Sequence, residues 1–213
     1  FAESLGITKA DSTDFKTKFE QFKKEAAGSA AVKATSACKE DAGTNTTKLA
    51  ECRDLAKAEA VKALGEDKDY DSMDGAEKAS FDAKFERLTK EASAKELAEA
   101  MRANKDKPQT ERDAAALEIF KKAQTKTFTD DKDAKIAFEK AKRIGAQAGL
   151  VDILKDCKTA GKLAEQCRAD AETTFAESLG ITKADSTDFK TKFEQFKKEA
   201  AGSAAVKATS ACK

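Results

Sequence analysis

Apolar residues recur at helical spacing in several related stretches of the chain, and phenylalanine supplies many of them. Phe15, Phe19 and Phe22 lie at positions i, i+4 and i+7, which places them on one face of a helix. The same spacing recurs twice later in the chain. We interpret these faces as stripes that pack against neighbouring helices, with a partner-binding face as the alternative. The three stripes are Phe15, Phe19 and Phe22; Phe81, Phe85 and Leu88; and Phe189, Phe193 and Phe196.

Another helix is predicted before each stripe, and glycine marks its end. The clearest example covers residues 47–64 and stops at Gly65, the residue type that most easily adopts the left-handed conformation beyond a helix. Gly6 and Gly180 hold the equivalent positions. A connector rich in acidic and hydroxyl side chains follows, such as EDKDYDSMDG. These side chains can accept hydrogen bonds from the first amides of the next helix, so each unit is predicted to be a helical hairpin.

The chain repeats at two levels. Residues 1–39 and 175–213 are identical at an offset of 174 positions. Within that period, CRDLAKAEAVKALG from Cys52 matches CRADAETTFAESLG from Cys167, and ERDAAALEIFKKA starts between them at Glu111. Because these starts are 59 and 56 residues apart, we predict about three and a half units of roughly 58 residues. Their boundaries are 1–51 (the second helix of a hairpin plus a junction), 52–110, 111–166, and 167–213 (truncated, repeating 1–39).

Composition predicts an all-α fold. Alanine, lysine and glutamate dominate, and there is one proline in 213 residues. Because a single hairpin cannot bury its apolar face, successive hairpins are expected to stack on one another. The predicted architecture is therefore a set of tandem helical hairpins, packed as an elongated bundle or an α-solenoid. We expect the chain to be part of a longer array of such units.

Four of the five cysteines occur in pairs that flank the turns between units. Cys38 with Cys52, and Cys157 with Cys167, are predicted to form disulfides, because two facing helices joined by a short turn bring such positions together. Cys212 is the periodic image of Cys38, and we expect it to be unpaired by truncation. Reduced structural cysteines are the main alternative. Metal binding and thiol catalysis are disfavoured, since the gaps do not suit zinc and the chain has no histidine.

Two features of the sequence favour an oxidising compartment, at the cell surface or outside the cell. Persistent disulfides are typical of secreted proteins. The triplet Asn45-Thr46-Thr47 between Cys38 and Cys52 is an N-glycosylation sequon, which makes Asn45 a candidate glycosylation site. A single sequon is a weak signal on its own.

One connector resembles a calcium-binding loop. Asp67, Asp69 and Asp71 match its first three ligand positions, but Ser72 stands where glycine is needed and Lys78 where a bidentate glutamate is needed. We therefore favour a solvated loop whose carboxylates cap the next helix. No metal or other cofactor is predicted.

The remaining patterns favour a structural role over an enzymatic one. The chain has no motif for phosphate binding or serine catalysis, so we do not expect an enzyme. Its 40 basic and 39 acidic side chains are interspersed, which disfavours nucleic acid as a partner, and no apolar run is long enough to span a membrane. We expect a rod, spacer or filament component whose partners are its neighbouring repeats, with lateral self-association. The alternatives are a repeated scaffold that docks a partner protein, such as a calcium sensor, and a lipid carrier.

Overall fold

The computed structural model describes residues 13–125, 128, 130–161, 164–181, 189–196 and 198, and every structural statement below concerns these residues. They are almost entirely helical and contain no strand, which confirms the all-α prediction. Residues 189–196 are also helical, and a short 3-10 turn covers Tyr70–Ser72. The six helices are α1 (Thr13–Ala42), α2 (Thr46–Leu64), α3 (Gly75–Ala103), α4 (Gln109–Ala123), α5 (Asp131–Ala160) and α6 (Ala164–Leu179).

Long and short helices alternate along the chain. The long helices α1, α3 and α5 contain 30, 29 and 30 residues, whereas α2, α4 and α6 contain 19, 15 and 16. The helices divide between two compact units: residues 1–93 with 122–127, and residues 94–121 with 128–213. The division falls inside α3. The division into compact units is defined by contacts in space. It does not test the repeat boundaries, which remain predictions from the sequence.

The first unit is built around one hydrophobic cluster. The cluster combines residues from the later part of α1, from α2 and from the early part of α3, and Phe85 at its centre is fully buried. Tyr70 and Met73, in the connector before α3, pack against it. The buried members are Ala27, Ala31, Ala56, Ala60, Val61, Leu64, Phe81, Phe85 and Leu88.

The second unit contains two clusters with the same order of helical segments. One combines the end of α3, α4 and the start of α5. The other combines the later part of α5, α6 and the 189–196 helix, with Phe175 at 0% exposure. Each cluster therefore takes one segment from each of three consecutive helical stretches. Their buried members are Ala94, Leu97, Met101, Ala116, Phe120, Phe138 and Ala141 in the first, and Ala146, Leu150, Ala171, Phe175, Ala176, Phe189, Phe193 and Phe196 in the second.

Two glycines let long helices approach each other closely within a unit. In the first unit, a Cβ placed on Gly28 of α1 would lie 2.7 Å from the carbonyl oxygen of Leu88 in α3. In the second unit, a Cβ on Gly145 of α5 would overlap the carbonyl oxygen of Ala94 in α3. Because a real Cβ does not fit at such distances, these contacts require glycine.

Helix ends follow the local signals in the sequence. Gly65 has φ 65° and Gly180 has φ 69°, both left-handed, as predicted. After α2, the amides of Gly65 and Glu66 donate to the carbonyls of Lys62 and Val61, which is the Schellman pattern. The same pair of bonds closes α6 at Gly180. Gly6 lies outside the described residues.

Candidate functional site at the helix junctions

The two predicted cysteine pairs each lie at disulfide distance. Cys38 near the end of α1 and Cys52 in α2 have Cα atoms 5.4 Å apart, and the Cα atoms of Cys157 and Cys167 are 5.7 Å apart. Each pair links the end of a long helix to the early part of the following short one. Cys212 lies outside the described residues.

The junction between α3 and α4 is closed without cysteine. The side-chain amide of Asn104 donates to the carbonyl of Ala100 at 2.8 Å, which satisfies a carbonyl in the last turn of α3. Pro108 directly precedes α4, and its carbonyl accepts from the amide of Arg112 at 3.0 Å. Hydrogen bonds terminate the helices at this junction, whereas the other two junctions combine such bonds with a cysteine pair.

Asn45 is the N-cap of α2 as well as the first residue of the sequon. Its backbone is extended, and its side-chain oxygen accepts a hydrogen bond from the amide of Lys48 at 3.1 Å. This is the capping geometry in which a side chain satisfies one of the four free amides at a helix start. Asn45, Thr46 and Thr47 are all exposed.

Lys39, which follows Cys38 in the sequence, has a partly buried ammonium group. Its Nζ donates to the backbone carbonyl oxygen of Gln124 at 2.6 Å. Burial lowers the pKa of Lys39 to about 8, because the charged form loses hydration that the protein replaces only in part. The neighbouring Glu40 forms an exposed ion pair with Lys122 at 2.8 Å.

A polar cluster joins α2, the connector and α3 in the first unit. Lys57 Nζ lies 2.8 Å from both the Tyr70 hydroxyl and Asp82 Oδ1. The Tyr70 hydroxyl in turn donates to the Asp82 carboxylate at 3.0 Å. The ammonium group also lies 4.2 Å from the Tyr70 ring centroid, a cation–π contact. Three polar groups are thus satisfied together at the edge of the hydrophobic cluster.

Hydrogen bonding decides the charge states in this cluster. Burial by itself would lower the pKa of Lys57, but hydrogen bonds to Asp82 and Tyr70 outweigh it and hold that pKa above its usual value. Burial would likewise raise the pKa of Asp82, and the bonds from Lys57 and Tyr70 hold that pKa below its usual value. Both groups are therefore ionised at neutral pH and act as a structural ion pair.

The acidic connector caps a helix. Asp74 Oδ1 accepts from the amides of Ala76 and Glu77, both at 2.9 Å, and the Glu77 carboxylate accepts from the Asp74 amide. This reciprocal arrangement is a capping box at the start of α3, as the connector composition predicted. Asp130 is the N-cap of α5, and its Oδ1 accepts a hydrogen bond from the amide of Asp133.

The residues that resemble a calcium loop form a turn. Asp69 accepts a backbone hydrogen bond from Ser72, and the carbonyl of Asp71 accepts one from the Lys78 ammonium at 3.2 Å. Lys78 thus places a positive charge beside the backbone at the position where a calcium ligand would be needed. Within the described residues, no group of three or more His, Cys, Asp or Glu side chains could hold a metal ion.

The three phenylalanine stripes differ in burial. Phe81, Phe85 and Leu88 are buried in the first unit, and the stripe of the 189–196 helix is buried in the second. In α1, by contrast, Phe19 is 38% exposed and Phe22 is 50% exposed. The buried stripes pack on helices that precede them in the chain. The twelve residues that precede α1 lie outside the described part of the structure.

An arginine occurs at the matching position of each short helix, and in α2 and α6 it lies close to a glutamate of the following helix that carries a phenylalanine stripe. Arg53 of α2 pairs with Glu86 of α3, and Arg168 of α6 lies 3.7 Å from Glu194. Arg112 occupies the matching position in α4 but is buried, and its Nη2 donates to the carbonyl of Gly180 at 3.3 Å. The repeat therefore preserves the arginine while its partner changes.

Sequence reasoning missed the residues whose role depends on contacts between helices. Lys57 lies on the apolar face of α2 beside Ala56, Ala60 and Val61. A lysine on such a face could have been predicted to have an acidic or hydroxyl partner on a neighbouring element. Tyr70, the single tyrosine, lies in a connector that sequence reasoning treated as solvated. Lys39 gave no comparable signal, because its ammonium group bonds to the carbonyl of Gln124, which is distant in the sequence.

Fold and junctions together define an all-helical bundle protein with two cysteine pairs at disulfide distance. In the part of the chain that the structure describes, no helix has the length and apolarity that crossing a membrane requires. Comparison with known proteins gives no match to a family model, to a curated protein or to a solved structure.

Proposed function

We propose that the chain is a non-enzymatic structural module of a tandem-repeat protein, acting as a rod, spacer or filament component at the cell surface or outside the cell. One observation carries the proposal: the recurring composition of the three hydrophobic clusters. Each takes the later part of a long helix, a short helix and the early part of the next helical stretch. A helix whose two parts belong to successive clusters connects those clusters in series. The stability of the chain then becomes a sum over the clusters and the interfaces between them.

The cysteine pairs fit this role. A disulfide that closes a loop of 10 or 14 residues stabilises by about 3 kcal/mol in the chain-entropy model. At the end of a long helix, it also restricts how far the following short helix can separate. Such a bond would resist extension and proteolysis, and it would persist in an oxidising compartment.

Solution scattering on the oxidised chain tests the proposed shape. A compact globule of this length has a radius of gyration of about 17 Å. We expect a clearly larger value, with a pair-distance distribution skewed towards long distances. A symmetric distribution near the globular value would contradict the rod and spacer proposal.

Thiol chemistry tests the proposed compartment. We expect one reactive thiol in native protein, and none after Cys212→Ser. This variant is also needed for peptide mapping, because Cys38 and Cys212 lie in the identical sequence KATSACK. Five free thiols in native protein from its source would contradict the exported role.

A scaffold that docks a partner protein is the second candidate, and the exposure of Phe19 and Phe22 in α1 is the observation that favours it. The test compares the proteins captured by the intact chain with those captured by the Phe22→Ser variant. Each capture is carried out with and without calcium. Loss of a specific partner in the variant would favour docking. A lipid carrier is less well supported, since the close contacts at Gly28 and Gly145 indicate tight packing between helices.

A further inference from the structure

The Asn45-Thr46-Thr47 triplet is presented at the surface of the junction between α1 and α2. Gly43, with φ 55°, turns the chain out of α1, and the amide of Asn45 donates to the carbonyl of Ala42 at 3.0 Å. All three residues of the triplet are exposed, as are Gly43 and Thr44 before them. An added Cβ on Gly43 would meet no atom within 4 Å, so there is open space around the turn.

The capping role of Asn45 uses the oxygen of its side-chain amide, so the folded protein can carry a substituent on the amide nitrogen. The Oδ1 atom accepts the hydrogen bond from Lys48. The Nδ2 atom makes no hydrogen bond within the described part of the chain. A substituent on Nδ2 retains the amide oxygen and therefore retains the cap.

We propose that Asn45 is an N-glycosylation site and that its glycan covers the disulfide-closed junction. The reaction transfers an oligosaccharide from a lipid diphosphate donor. The bond between the sugar C1 and the diphosphate oxygen breaks, a bond from C1 to Nδ2 forms, Nδ2 loses one proton, and the lipid diphosphate leaves. The proposal rests on the exported role proposed above, because the transferase and its donor belong to the secretory route.

The structure also assigns an order to glycan transfer at Asn45 and closure of the Cys38–Cys52 disulfide. Thr46 and Thr47 form the first turn of α2, and Asn45 caps that turn. A transferase that binds the acceptor in an extended form cannot use the triplet in this conformation. Closing Cys38–Cys52 holds α2 against α1 and favours the helical form. Glycan transfer is therefore expected to precede disulfide closure, and removing the disulfide should not lower the occupied fraction of Asn45.

The experiment is secretion of the whole chain from eukaryotic cells, followed by intact mass measurement before and after an N-glycan amidase. We expect a glycan mass that the amidase removes, leaving Asp at position 45. The matched controls are Thr47→Ser, which retains the sequon, and Thr47→Ala, which destroys it while keeping the Asn45 cap. Glycosylation is expected in the first and not in the second. The double variant Cys38→Ser, Cys52→Ser is expected to show at least the wild-type occupancy.

The outcomes separate this inference from the proposed function. Secreted protein with Cys38–Cys52 formed and Asn45 unmodified would overturn the glycan assignment and leave the structural module standing. A glycan on Asn45 in protein whose cysteines all stay reduced would support the assignment and contradict the oxidised module. Lower occupancy in the double cysteine variant would overturn the proposed order of the two modifications.

Discussion

At the scale of single residues, Lys39 shows how one partly buried charge couples stability to pH. Its pKa is about 8 in the folded protein and 10.5 in an unperturbed chain. Between these values the unfolded chain binds more protons than the folded protein. The contribution of Lys39 to the free energy of unfolding therefore rises with pH across this window.

Lys39→Met is expected to remove this contribution. The variant should be more stable than the wild type at pH 7, where the wild type partly buries a charged ammonium group. Its advantage should shrink as the pH rises from 8 towards 10. Urea unfolding followed by circular dichroism at several pH values measures both effects, with the exposed Lys33→Met in the same helix as the control. A constant difference between Lys39→Met and wild type across the window would refute the assignment.

Gly145 and Gly149 of α5 provide a matched pair for the close helix contact. Gly145→Ala inserts a methyl group against the backbone of Ala94, and overpacking of this kind costs about 1–3 kcal/mol. Gly149→Ala meets the flexible Arg102 side chain at 3.3 Å and Thr174 at 3.5 Å. It should be neutral or stabilising by up to about 1 kcal/mol, because alanine favours helix. Urea unfolding measures the two differences, and equal effects would show that α3 and α5 are not held by this contact.

At the scale of elements, one sequence occurs in two surroundings. Phe19 in α1 and Phe193 in the 189–196 helix belong to identical segments, yet their exposed fractions are 38% and 2%. The ring of Phe193 lies 5.5 Å from that of Phe175, centroid to centroid, in an edge-to-face contact. Because the local sequence is the same, the difference in burial comes from what surrounds each segment and not from the segment itself.

Alanine substitutions at these two positions measure that difference. Phe193→Ala is expected to cost about 3–5 kcal/mol, as is typical of a buried phenylalanine. Phe19→Ala should cost markedly less, because much of its side chain is already in contact with water. The two unfolding free energies are compared in urea on otherwise identical chains. A larger loss at Phe19 than at Phe193 would contradict the packing described here.

Local sequence signals predicted the helices and their ends, but they did not predict the contacts between helices. Gly65 and Gly180 ended their helices as predicted, because the left-handed conformation depends on the residue itself. The acidic connector capped α3 for the same local reason. The Lys57–Asp82 pair and the contact of Gly145 with Ala94 depend on which helix faces meet. A single amphipathic pattern does not specify that choice, so these features required the structure.

At the scale of the whole molecule, the serial arrangement proposed above predicts how size grows with length. A chain extended by a second copy of residues 40–213 would add one further outer period after Lys213. If units add in series, the radius of gyration should nearly double and the helix content per residue should stay constant. A globule would instead grow by a factor of about 1.3. Scattering on the two chains decides between these outcomes.

Tyr70 gives the first unit an optical label of its own. It is the only tyrosine, and the chain has no tryptophan. Its ring packs 5.5 Å from Phe81, centroid to centroid, and its hydroxyl is bonded to Lys57 and Asp82. Tyrosine emission, excited at wavelengths that phenylalanine does not absorb, therefore reports on that unit. A thermal melt recorded by this emission follows the unfolding of the first unit. In a Tyr70→Phe chain, a tyrosine introduced into the second unit would follow the unfolding of that unit instead.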